Sequence, residues 1–87
     1  MKYFAAILYM QDAEKNKVMR PDHIAFLEEN ASKGNIFARG PFSDGAGGLV
    51  IYQAESLEEA KAIAARDPYV SGGARRLELH PWEMKKE

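Results

Sequence analysis

An 87-residue chain has room for one domain, and its 46% hydrophobic and 29% charged residues give the balance of a folded globular protein, not a disordered one. It contains no cysteine, which excludes disulfides and zinc thiolate centres, and two histidines alone make a poor structural metal site. The net charge is −1, with acids and bases intermixed, so no basic field exists for a phosphate backbone and nucleic acid is not an expected partner.

The longest apolar run, Tyr3 to Met10, is too short to cross a bilayer, and no small-residue cleavage site follows it. A cytoplasmic protein with no membrane partner is expected. The same run reads as a first strand, and both alternating sets, Tyr3/Ala5/Ile7/Tyr9 and Phe4/Ala6/Leu8/Met10, are apolar, so both its faces require cover. The polar stretch Gln11 to Val18 is expected as an exposed loop, with Asp12, Glu14, Lys15 and Lys17 forming a solvated surface. A helix is expected to begin near Pro21, whose fixed φ suits a first helical position, and to carry Ile24, Leu27 and Ala31 on its buried side before stopping at Gly34.

Asn35 to Arg39 reads as a second strand broken by Gly40-Pro41, and the glycine-rich stretch before Leu49 as a hairpin turn. It leads into a strand and lacks a following Lys-Ser/Thr, so it is no phosphate loop. Leu49 to Tyr52 is a third strand, again apolar on both faces. Ser56 and Glu59 form a capping box for a second helix with the stripe Leu57, Ala60, Ile63 and Ala64, ending before Pro68. Gly72-Gly73 turns into a last strand, Ala74 to His80, where Leu77 and Leu79 alternate with Arg76, Glu78 and His80, and Pro81 to Glu87 form a charged tail.

The order βαββαβ packs as a ferredoxin-like α+β fold, a four-stranded antiparallel sheet with two helices on one face and the first and third strands in the middle. Residues 1–87 form this single domain. Two helices cover one sheet face only, and a core this small needs further support, so a homodimer that pairs the open faces is expected.

Few residues offer chemistry. His80 fits a surface position, and Arg39 fits either a substrate carboxylate or plain solvent exposure. His23 falls in the expected first turn of a helix, where the dipole disfavours an imidazolium and leaves a neutral ring able to take a proton. Asp67, beyond the second helix and held by Pro68, is an acid able to orient that ring, although a structural ion pair is the competing reading. As a residue past a helix end it is expected to contribute little packing. Taking the two helices as parallel puts the start of one and the end of the other at opposite ends of the sheet. A contact within one subunit would then require the chain after Pro68 to fold back, or the partner subunit to supply one member.

The sequence resembles the YciI-like (YCII-related) family over almost its whole length, through Arg20-Pro21-x-His23-x-x-x-Leu27, Gly34 followed by Gly40-Pro41, Ser56-Leu57-Glu58-x-Ala60 and Asp67-Pro68-Tyr69. The resemblance implies a ferredoxin-like fold that dimerises into an α+β barrel. It also implies an active site with a histidine and an aspartate, which fall here on His23 and Asp67, with Arg20, Gly40, Pro41 and Tyr69 as neighbours. A chlorinated-hydroquinone dehydrochlorinase and, more distantly, the muconolactone isomerases are similar. The short glycine-rich connection after Pro41 departs from longer members and alters the pocket rim.

The leading expectation is a cofactor-independent, metal-free lyase or isomerase acting on a small, cyclic or carbonyl-activated molecule. His23 is its base, Asp67 orients the base, and Arg20 or Arg39 holds an anionic group. A module that binds or senses a metabolite without turnover is the alternative. A haem-degrading or oxygen-using enzyme is a third class, with little support from two histidines and no cysteine.

Overall fold

In the computed structural model, which describes residues 1–87, the chain forms β1 (Lys2–Met10), α1 (Ala13–Ser32), β2 (Ile36–Pro41), β3 (Gly47–Ala54), α2 (Leu57–Ala64), α3 (Pro68–Ser71) and β4 (Arg75–Trp82). The sheet order is β2-β3-β1-β4 with every neighbouring pair antiparallel, the ferredoxin-like arrangement. The two strands apolar on both faces occupy the middle, as their composition requires. Residues directly opposite in a ladder share a face, so Phe4 with Tyr52 and Ala6 with Val50 point one way. There they join Leu8, Leu27, Ala60, Ile63 and Ala64 in the core beneath the helices, with Leu77 and Leu79 packed against it. Burial of a large apolar side chain in such a core stabilises by about 1.5–3 kcal/mol.

The other face bears no helix. It presents Ala5 opposite Ile51, Ile7 opposite Leu49, and Tyr3, whose ring meets Phe37 edge-on at 5.2 Å. β4 adds Glu78, His80 and Trp82 to this side.

α1 departs most from expectation. The stretch Gln11 to Val18 is not a loop, because the helix begins at Ala13 under the cap of Asp12, whose carboxylate accepts the Lys15 backbone N–H at 3.0 Å. Of the charges of alternating sign, Glu14, Lys15 and Lys17 are exposed on that helix and Asp12 is its cap. Pro21 lies inside it, where proline costs about 3 kcal/mol in an unsupported helix, so packing and not propensity holds this segment. The buried positions are His23, Leu27 and Asn30, while Ala31 is exposed and Ile24 half-buried. A histidine and an asparagine facing the core erase the apolar stripe on which a periodicity argument depends. Asn30 is satisfied there by the Phe26 carbonyl and the Asn35 side chain, both at 2.9 Å. Gly34 ends the element at φ +78°, as expected.

Elsewhere the differences are in extent. Gly40-Pro41 does not break β2 but completes it, since an edge strand tolerates a proline with no ladder partner for its nitrogen. Gly47 and Gly48 belong to β3, and a Cβ on Gly47 would fall 1.9 Å from the Leu8 carbonyl oxygen, so only glycine lets β3 pass β1 there. Ser56 caps α2 as read, accepting the Glu59 N–H at 3.1 Å, although Leu57 is exposed. The helical turn α3 was not expected, and β4 takes Pro81 and Trp82 from the expected tail.

Helix direction is the correction with functional weight. Each long helix returns across the sheet from the strand before it, and β1 is antiparallel to β3, so α1 and α2 are antiparallel to each other. The expectation of parallel helices is therefore overturned. The end of α2, with α3, lies at the same end of the sheet as the start of α1. No helix is long and apolar enough to cross a membrane.

Candidate active site

Asp67 and Pro68 open α3 as cap and first residue, and the aspartate Oδ1 accepts the Tyr69 backbone N–H at 2.9 Å. That cap is sealed. Asp67 is 0% exposed, contrary to the expectation of a lightly packed residue past a helix end. The same Oδ1 lies 2.7 Å from Nδ1 of His23, so the two residues meet within a single chain. A second subunit is not needed to join them.

His23 is not in a first helical turn. It sits roughly 15 Å along α1, beyond the reach of the terminal dipole, so the dipole argument for a neutral ring does not apply. Its setting comes from neighbours instead. One nitrogen faces Asp67, and the ring stacks on Tyr69 with centroids 3.8 Å apart and planes 16° from parallel. An ionised Asp67 only accepts, which makes Nδ1 the donor and leaves the Nε2 lone pair free. Asp67 Oδ2 and the Tyr69 hydroxyl are buried without a hydrogen-bond partner in the chain, so His23 and the Tyr69 N–H are the two groups bonded to the carboxylate, both at Oδ1. That charge and burial together push the nearby Tyr52 phenol above its usual range, burial being the larger cause.

His23 lines a cavity of about 130 Å³. Arg20, one turn before His23 on α1, lines it from one side, and Arg39, Gly40 and Pro41 of β2 from another. Tyr69 closes the end nearest α3, and Leu8, Ile24, Leu27 and Val50 supply apolar wall. Thus the structure gathers His23, Arg20, Arg39, Gly40, Pro41 and Tyr69 around one space, with Asp67 directly behind His23. Arg75 also lines it and was missed. Its signal lay in β4: Arg75 is in phase with Leu77 and Leu79, so alternation sends it to the covered side of the sheet. His80 takes no part, and bonds Glu78 on the open face at 3.1 Å. No group of three or more His, Cys, Asp or Glu side chains has the arrangement to hold a metal ion.

A ferredoxin-like α+β domain with a buried His–Asp pair at the edge of a small, arginine-lined cavity is the class of protein defined by this fold and site. The chain belongs to the family of the YCII-related domain, whose profile matches residues 1–83. It is 34% identical to the uncharacterised protein YjpA of Bacillus subtilis, over 97% of this chain and 99% of that one. To the protein YciI of Escherichia coli it is 37% identical, over 77% of this chain and 83% of the other. Among solved structures it resembles 5-chloro-2-hydroxyhydroquinone dehydrochlorinase from Burkholderia phenoliruptrix in complex with 2,5-dihydroxybenzoquinone. The TM-score is 0.79 with 95% of each chain covered, and at 21% identity the likeness is one of fold.

Proposed function

We propose that the cavity is the active site of a cofactor-independent lyase or isomerase acting on a small cyclic molecule, with His23 as general base. The observation that carries this is the 2.7 Å contact of His23 Nδ1 with a fully buried Asp67, in a histidine that also lines the cavity. In the reaction a substrate C–H or O–H bond breaks, an N–H bond forms at Nε2, and the electron pair stays on the substrate. For a lyase that pair expels a leaving group as an anion, and for an isomerase the proton returns at another carbon. Asp67 holds the tautomer and balances the imidazolium, as in other buried acid–imidazole pairs. A general base of this kind contributes about 10²–10⁴-fold.

The fold shared with a dehydrochlorinase supplies a first substrate to try. Chloride release from 5-chloro-2-hydroxyhydroquinone, followed by ion chromatography, and deuterium uptake from heavy water into 2,5-dihydroxybenzoquinone both report proton removal. His23→Gln should lose at least a hundredfold of either activity while still binding 2,5-dihydroxybenzoquinone. Full activity in that variant would remove His23 from the mechanism, and wild-type binding without turnover would favour the metabolite-binding module.

The same proposal includes a homodimer. Phe37 and Trp82 are exposed and Ile7 and Leu49 half-buried on the sheet face that bears no helix, although Ile51 on that face is already buried within the chain. A second copy meeting that face would bury it on both subunits.

A further inference from the structure

Arg75 enters the covered side of the sheet at the first position of β4 and is held there from several directions. Its Nε donates to Asn16 Oδ1 at 2.8 Å, and its guanidinium carbon lies 4.4 Å from the centroid of Tyr69, the ring that also stacks on His23. A Cβ on Gly48 would come within 3.2 Å of Nη1 of Arg75 and 3.1 Å of the Gly40 carbonyl oxygen, so the glycine leaves room for the guanidinium beside the cavity.

What these arginines lack is a counter-ion. The ion pairs of the chain are His23–Asp67, Lys33–Glu29, Arg76–Glu78 and His80–Glu78, and none involves Arg20, Arg39 or Arg75. The cavity lining includes those three cations and no carboxylate. Burial lowers the Arg75 pKa and the charge of Arg20 adds to this, while Tyr69 and Asp67 act against it. Arg75 is half-buried and its guanidinium stays protonated through such shifts, so an anion arriving in the cavity would stabilise a partly desolvated charge that has no carboxylate bonded to it. The cavity is close in size to the roughly 150 Å³ space that accepts one benzene molecule in another protein.

We propose that Arg75 is the anion-binding residue of this cavity and that its ligand is a single-ring molecule bearing an ionised oxygen, held in the space that Arg75 and His23 both line. The inference rests on the cavity being the substrate site. It deepens that reading, because an electron pair left by proton removal moves onto such an oxygen, where the N–H groups of Arg75 stabilise the developing charge.

Binding of 2,5-dihydroxybenzoquinone, which is ionised at neutral pH, is measured by calorimetry, with benzoate and its uncharged isostere benzamide as competitors. Benzoate should displace the quinone at least tenfold more effectively than benzamide. Arg75→Gln should lose at least tenfold in quinone affinity and Arg75→Lys less, whereas Arg76→Gln, which alters the open face, should bind as wild type. Equal competition by benzamide, unchanged affinity in folded Arg75→Gln or in Arg75→Lys and Arg75→Gln alike, or no quinone binding at all would overturn the proposal. Arg75-dependent binding with no turnover would spare it and count against the proton-transfer reading. Turnover that needs His23 but not Arg75 would do the reverse.

Discussion

Asp67→Asn separates the charge of Asp67 from its shape. Both the Tyr69 N–H and His23 Nδ1 converge on Oδ1, at 2.9 and 2.7 Å. The Tyr69 amide can only donate, so it fixes the carboxamide oxygen of the variant in the Oδ1 place, and His23 should keep its proton on Nδ1. The amide nitrogen then occupies the buried place of Oδ2, which has no partner, at a cost of about 1–3 kcal/mol partly offset by removing a buried charge. A melting temperature lower by about 4–8 °C per kcal/mol follows for a domain of this size. The larger effect is electrostatic. A unit charge about 4 Å from the imidazolium is worth about 4 kcal/mol at an effective dielectric of 20, or about a thousandfold in rate where proton transfer limits turnover. Nitrogen-15 NMR of the imidazole reads the tautomer, and the deuterium-uptake and chloride-release assays read the rate. A wild-type ring protonated on Nε2, or a variant with unchanged turnover, would refute the reasoning.

Ile7 lies on the uncovered face with Glu78 opposite, so Ile7→Lys should leave a folded monomer while breaking the dimer, and light scattering that finds wild type monomeric would remove the dimer. Tyr52 holds its proton more tightly folded than unfolded, so stability is complete below pH 10 and should fall by about 1.4 kcal/mol per pH unit above it; denaturant titrations of Tyr52→Phe should lack that slope. Gly47→Ala meets the Leu8 carbonyl at a φ of +143° and should cost more than about 2 kcal/mol in chemical denaturation. Gly40→Ala, with open space around it, should stay within about 0.5 kcal/mol.

The order of elements, with strand composition in agreement, determined the sheet. The βαββαβ order puts the first and third strands in the middle, Tyr3 to Met10 and Leu49 to Tyr52 are apolar on both sides as that place requires, and Ser56 with Glu59 marks the start of α2 through a purely local hydrogen bond. The family motifs named His23, Asp67, Arg20, Gly40, Pro41 and Tyr69 by their order along the chain, but neither Arg39 nor Arg75. α1 was out of reach for the same local logic, because Pro21 imitates a helix start and His23 and Asn30 take core positions that periodicity reserves for apolar residues. What only the tertiary structure decided is the meeting of His23 and Asp67. It depends on β1 and β3 running antiparallel, which sends α1 and α2 in opposite directions and brings α3 against the middle of α1. Arg75 lies between these cases: alternation already pointed it inward, but only packing placed it over Tyr69 and without a carboxylate, since charge partners are fixed by distances across elements and not by spacing along the chain.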